Sequence, residues 1–342
     1  LLHHKTKITQ RYATPALTNI GEPALTSSDV VVYNVRAGIT LGATLTMPAD
    51  GNPAAALVLA TGSGQQNRDE EIMGHRPFKA IAEHLSSRGY AVLRFDDRGV
   101  GESGGDPSKS TLDDYVTDLS AAIAKVDSCM PGRIPVGVLG HSEGGSAAIK
   151  IAGKDSGCSF IITMGAPAWS GDSIIMSQAR AMAVAMMGRW EAEASQRRIL
   201  DLVKSDIPTI MLRVSLHQLI AEQLGGMANM PDVMKQVSAQ VEVLCSLPYR
   251  SMVRYNPEDD IREVGVPWLA LNGDKDMQVL PANLDAIKAL NPDADTRLMP
   301  GLNHLMQDCT TGLVQEYVSI SQDISPTALE AITSWLDVII AR

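Results

Sequence analysis

Residues 134–153 read Ile-Pro-Val-Gly-Val-Leu-Gly-His-Ser-Glu-Gly-Gly-Ser-Ala-Ala-Ile-Lys-Ile-Ala-Gly: an apolar strand, a sharp turn, then a helix of small residues. The turn itself, Gly140-His141-Ser142-Glu143-Gly144, fits G-x-S-x-G, a spelling that holds a serine in strained geometry between a strand and a helix. Glycines two positions before and after the serine relieve the crowding of such a turn. The N-terminus of the following helix favours a developing negative charge. A buried strand that hands its last residue directly to a helix belongs in a parallel sheet covered on both faces.

The rest of the chain supports that class. Two alternating runs, Val30–Val35 and Ile39–Met47, separated by Arg36-Ala37-Gly38, read as an antiparallel hairpin. Strands at 55–60, 90–95, 134–139 and 160–165 then alternate with helices at 77–88, 111–127 and after the serine turn. Pro77 opens the first helix and Gly89 closes it. Alternation stops at 168 and resumes with a strand at 266–271, a helix at 281–290, a strand at 296–299 and a last helix at 326–341. The expected architecture is therefore α/β: a mostly parallel sheet with an N-terminal antiparallel hairpin, helices on both faces and an inserted helical lid. In residue ranges this means an N-terminal extension at 1–28, a core built from 29–167 and 263–342, and a helical lid at 168–262 over the C-terminal ends of the strands. Nine of the chain's 16 methionines fall in the insertion.

Composition narrows the partners. A net charge of −10 argues against nucleic acid, whose phosphates need a basic face. No apolar run approaches the ~20 residues of a membrane span. The opening Leu1-Leu2-His3-His4-Lys5 is too short and polar for a signal peptide and fits a mature or trimmed end. Four cysteines show no metal-ligand spacing. Cys129 and Cys158 each precede neighbouring strands at the same end of the sheet, so two states are open. A pair would place the protein in a periplasm or outside the cell, and free thiols would fit the cytoplasm.

A serine hydroxyl needs a general base to become a nucleophile. Of seven histidines, His3 and His4 lie in the tail, His84 inside a helix, His217 in the insertion and His75 before the first core helix. His141 precedes the serine and should point away from it. His304 follows the last strand in Met299-Pro300-Gly301-Leu302-Asn303-His304, at the end of the sheet where Ser142 must sit, and is the best base. The base in turn needs an acid between it and the serine in chain order. Leu271-Asn272-Gly273-Asp274-Lys275-Asp276 offers two, and Asp276, further round the loop, is preferred over Asp274, which suits a turn. Oxyanion donors are expected from the Glu143 amide and from the loop after 55–60, with Ser63 first and Gly64 next. Gly99-Val100-Gly101-Glu102-Ser103-Gly104 also fits a dinucleotide-binding spelling, but no helix follows it directly. Asp96, Asp97 and Arg98 before it read as buttressing ion pairs.

These stretches resemble the α/β-hydrolase superfamily and, more narrowly, the EstD-type bacterial carboxylesterases. The likeness rests on Gly62–Glu70, Arg94–Gly101, Gly140–Gly145, Asn272–Val279 and Gly301–His304, and spans residue 30 to the C-terminus. Gln65 and Asn67 depart from the Pro and Asp that relatives often carry. The resemblance implies a Ser142–Asp276–His304 triad, no metal or organic cofactor, and a small-molecule ester as partner. A peptidase or aminopeptidase of the same fold is the runner-up, with Glu70, Glu71 or acids of the insertion to hold a substrate amine. A non-catalytic binding protein on the same scaffold is the third reading. Ala181, Met182, Ala183, Ala185, Met186 and Met187 are expected either to form a pliable apolar wall for an acyl group or to pack the insertion's own interior.

Overall fold

β1 (Thr26–Asn34), whose burial alternates only over its last residues, pairs with β2 (Ile39–Met47) as an antiparallel hairpin. The turn between them places Gly38 at φ +67°, a left-handed conformation that costs glycine nothing. In the computed structural model, which describes residues 25–153 and 157–341, this hairpin forms one edge of an eight-stranded sheet ordered β1-β2-β4-β3-β5-β6-β7-β8. The expected N-terminal extension, 1–28, lies outside the described residues as far as residue 24, and β1 begins within its last positions.

β3 (Ala55–Ala60), β4 (Tyr90–Phe95), β5 (Val136–His141), β6 (Phe160–Met164), β7 (Trp268–Gly273) and β8 (Asp295–Met299) run parallel. All but β8, at the sheet's other edge, are buried along their whole length, as parallel strands covered by helices on both faces must be. α1 (Pro77–Ser87) covers one face, α2 (Leu112–Cys129) and α3 (Glu143–Ala152) the other. α2 starts on a capping box, Thr111 with Asp114. β5 begins two residues later than expected, because Pro135 has no N–H to give the ladder. It also ends later, delivering His141 buried and Ser142 at its tip.

Between β6 and β7 come six helices: α4 (Gly171–Met187), α5 (Glu193–Lys204), α6 (Thr209–Leu224), α7 (Pro231–Cys245), α8 (Leu247–Arg254) and α9 (Glu258–Glu263). Most of them share an apolar cluster of their own, centred on Val203, Leu212, Leu216, Val241 and Val253. α10 (Ala282–Leu290) then joins the α2/α3 face, and α11 (Pro326–Ile340) lies beside α1. Among the described residues no helix is long and apolar enough to cross a membrane.

The cysteine pair does not form. Cys129 and Cys158 are both free thiols, and the Cys158 Sγ donates instead to the Phe160 carbonyl at 3.2 Å, so burial rather than a disulfide governs it.

Candidate active site

Ser142 sits at φ +52° and ψ −116°, a strained pair of angles for a residue with a side chain. The neighbouring glycines show what the turn demands. A Cβ on Gly140 would lie 2.2 Å from the Gly144 carbonyl oxygen, and one on Gly144 only 2.0 Å from the Ala60 carbonyl oxygen. The Ser142 N–H donates to Met164 O at 2.9 Å, tying the turn to the end of β6.

Two loops further along the same edge bring up a carboxylate and an imidazole. Asp276 Oδ2 accepts from His304 Nδ1 at 2.7 Å, and both side chains are buried. The other oxygen of Asp276 accepts from the Gln278 and Val279 amides at 2.8 Å each, so the carboxylate is aimed before any proton moves. Asp274 does the turn work: its Oδ1 accepts from the Gly301 N–H at 2.7 Å and clips the two loops together. Gly165 makes room for the couple, since a Cβ there would stand 3.0 Å from His304 Nδ1 and 3.1 Å from Asp276 Oδ2. Among the described residues, the Ser142 hydroxyl and His304 Nε2 make no hydrogen bond.

The loop after β3 is built on acids below it. Asp97 accepts from Thr61 Oγ1 at 2.7 Å and from the Gln66 amide at 2.9 Å. Burial pushes its carboxyl up to about 7, with the Glu70 and Glu143 charges adding to the effect against those two hydrogen bonds. Arg68 is held by Asp96 at 2.7 Å and Glu102 at 2.6 Å, and Arg98 pairs with Asp118 and Asp114. Of the three residues expected to form a buttress of ion pairs, Asp96 and Arg98 do so, whereas Asp97 makes hydrogen bonds and no ion pair among the described residues. Asn67, where relatives often carry Asp, caps the turn by accepting from the Asp69 and Glu71 amides at 3.1 and 3.2 Å.

Two cavities meet above this loop. The one containing Ser142 holds about 300 Å³ and the other about 530 Å³. Ser63 and Glu143 border both, whereas Gly64 borders only the larger. Glu143 borders this space and forms no ion pair among the described residues, and burial raises its carboxyl pKa. The insertion supplies much of the wall beside Ser142, through Ile174, Ile175, Tyr249, Met252 and Tyr255. The Ala181–Met187 stretch does neither of the things expected of it: it borders neither of these two cavities, and Met186 and Met187 are 60% and 68% exposed. The wall uses the first two turns of α4, one helical length nearer the sheet.

Sequence reasoning passed over His141. Its ring does not stand idle: Nδ1 faces Glu70 Oε1 at 2.8 Å and Nε2 donates to the His304 carbonyl at 3.0 Å. Burial alone would lower this imidazole's pKa, but the Glu70 charge and hydrogen bond outweigh it and hold it raised. No local pattern announces the arrangement, because the partners lie 71 and 163 residues away. The same contacts remove Glu70 from the outer surface, and Glu71 pairs with Arg76 at 3.1 Å. Neither Glu70 nor Glu71 lines the two cavities. The remaining core histidines are engaged elsewhere, His75 with Tyr317 O and His84 with Thr333 Oγ1, each at 2.8 Å.

The family model described as "Serine aminopeptidase, S33" (Hydrolase_4) matches residues 74–308. Esterase EstD of Thermotoga maritima is 36% identical over 108 residues, 32% of this chain and 26% of its own length. An uncharacterised Pseudomonas aeruginosa protein, PA2218, is 30% identical over 138 residues, 39% of this chain and 35% of its own. The matches thus span about a quarter to a third of these curated relatives. Among solved structures, the Pyrococcus furiosus esterase Pf2001 superimposes with a TM-score of 0.56 at 14% identity, covering 92% of this chain and 91% of that one. The chain belongs to the serine aminopeptidase S33 family of hydrolases and has the α/β-hydrolase fold.

Proposed function

From that membership and the geometry of the site, we propose that the protein hydrolyses carboxylic esters of small or medium acyl groups through an acyl-enzyme on Ser142. The observation that carries the reading is the buried Asp276–His304 couple, 2.7 Å across, at the same sheet edge as a serine held at φ +52°. Asp276 fixes His304 with its proton on Nδ1, which leaves Nε2 as the base. Ser142 attacks the ester carbonyl as Nε2 takes its proton, and the Ser63 and Glu143 amides receive the oxyanion. His304 returns the proton to the departing alcohol, and water then cleaves the acyl-enzyme by the same route. Neither amide has a hydrogen-bond partner among the described residues, which fits donors reserved for a substrate oxygen. Nothing in these steps calls for a metal or organic cofactor.

The insertion, 168–262, is read as a lid: with the core at 29–167 and 263–342 it encloses the nucleophile, and its side chains select the acyl group. A cavity of about 300 Å³ suits a small or medium ligand. The esterase named among the curated relatives supports the ester over the amide, as does the engagement of Glu70 and Glu71 within the protein.

Ser142→Ala tests the reading. Hydrolysis of p-nitrophenyl acetate should fall by ~10³-fold or more, because only binding and the oxyanion donors remain. Labelling by a fluorophosphonate should vanish with it. A variant that keeps near-normal turnover would sink the assignment.

A further inference from the structure

Resting on the roles given to Ser142 and His304 above, we infer that Glu70 and His141 are positioning residues of the reaction, one buried couple that sets the oxyanion loop against the loop bearing the base. Glu70 Oε1 accepts from the Gly62 N–H at 2.6 Å and meets His141 Nδ1 at 2.8 Å, and His141 Nε2 donates to the His304 carbonyl at 3.0 Å. Gly62 directly precedes Ser63, the oxyanion donor, and the carbonyl is that of the base itself. Three hydrogen bonds and two side chains therefore join donor to base across the end of β5. The two imidazoles also pack together, centroids 4.6 Å apart and tilted by 50°. Gly62 leaves room for this contact: a Cβ there would stand 3.1 Å from Glu70 Oε1, 3.2 Å from His141 Nδ1 and 3.3 Å from Ser142 Cβ.

Protons make the couple directional. A carbonyl oxygen only accepts, so His141 Nε2 carries a proton, and the Nδ1–Oε1 contact holds a second one. The Glu70 charge, acting against burial, favours keeping that proton on the ring. The fold tolerates two unfavourable features to keep this carboxylate. Glu70 lies at φ +52°, and its Oε2 is buried without a hydrogen-bond partner among the described residues. An apolar pair of similar volume would fill the same space without the orphaned oxygen. Strain and an orphaned oxygen that persist beside a reacting centre are what a positioning role accounts for.

The test uses Glu70→Gln, His141→Asn and the double variant, assayed for kcat and KM on p-nitrophenyl acetate, with thermal midpoints recorded. His141→Gln is the conservative rescue, since its amide extends toward the His304 carbonyl. Expected are kcat losses of about 10- to 100-fold at nearly unchanged KM, the scale of a small misplacement of reacting groups. His141→Gln should regain part of the loss, and the double variant should lose no more than the worse single one. Folded variants with wild-type kcat, or single losses that multiply in the double variant, overturn the inference. If Glu70→Gln does not fold, Glu70→Asp keeps the charge on a shorter arm and should still lose kcat; a folded, fully active Glu70→Asp overturns it equally. Full activity in Ser142→Ala would instead bring down the reading of the site, and this inference with it.

Discussion

The sheet-borne core and the helical insertion are organised by different physics. In the core, the side chains of Glu70, His141 and Asp276 near the serine are buried and each meets more than one partner. Asp276 alone accepts from His304, Gln278 and Val279. Glycines there face backbone at 2.0–2.2 Å from where a side chain would begin. The insertion is held chiefly by an apolar cluster, and it leaves Met186, Met187, Ile210 and Met211 each more than half exposed. Hydrogen bonds and close backbone approach allow one arrangement only, whereas apolar packing accepts many side chains of similar volume. A site built across the two joins a rigid half, suited to chemistry, to an adaptable half, suited to choosing what reaches it.

The largest expected effect breaks the rigid half at one atom. Asp276→Asn retains an oxygen for the Gln278 and Val279 amides, so the loop should stay folded. The new amide nitrogen, however, faces His304 Nδ1 and stabilises the tautomer with its proton on Nε2, which cannot act as a base. Turnover should fall by ~10³- to 10⁴-fold, and by the same factor for every acyl length. An ester panel run from acetate to decanoate checks both points, and a loss confined to some chain lengths would count against the division.

The adaptable half predicts the opposite signature. Ile174 and Met252 line the cavity beside Ser142. Shortening either to alanine should change the ratio of kcat/KM between short and longer acyl esters by roughly 10-fold. Turnover of the better substrate should hardly change, because one or two methylenes in an apolar pocket are worth about 1–3 kcal/mol. Equal losses across the panel would place these residues with the chemistry instead.

The same contrast explains what could be read from sequence. Ser142 and His304 stood out because the serine turn has a spelling of its own and because few histidines reach that sheet edge. Asp276 was separable from Asp274 by turn chemistry, and the structure puts Asp276 on His304 and Asp274 on the Gly301 amide. The parallel sheet with its antiparallel hairpin and the helices on both faces followed from alternation. The Glu70–His141 couple was illegible, since nothing local distinguishes a histidine that reaches 163 residues forward. The cavity wall was misread for a related reason. Both Ala181–Met187 and Ile174–Ile175 are apolar, and only the packing of α4 against α5 and α8 decides which stretch lines the cavity beside Ser142.

An effect on stability rather than turnover separates the halves by pH. Asp97, beneath the loop after β3, has its carboxyl pushed up to about 7 by burial, against a value near 3.8 in the unfolded chain. Between those values the folded protein keeps a proton that the unfolded chain releases. The contribution of Asp97 to stability therefore declines as pH rises from about 4 to about 7, and is level on either side. The hydrogen bonds from Thr61 and Gln66 are already part of that value, and the gap from 3.8 to about 7 sets an upper limit of about 4 kcal/mol on the decline. Asp97→Asn should remove that slope, and urea midpoints at pH 5 and pH 8 would then differ less than in the parent. Leu216→Val, in the insertion's apolar cluster, carries no proton and should lower both midpoints by similar amounts. A parent protein with no such decline, or an Asp97→Asn variant that retains it, would mean that the carboxyl titrates as an exposed group. The loop after β3 would then share the solvated character of the insertion's outer surface instead of belonging to the rigid half.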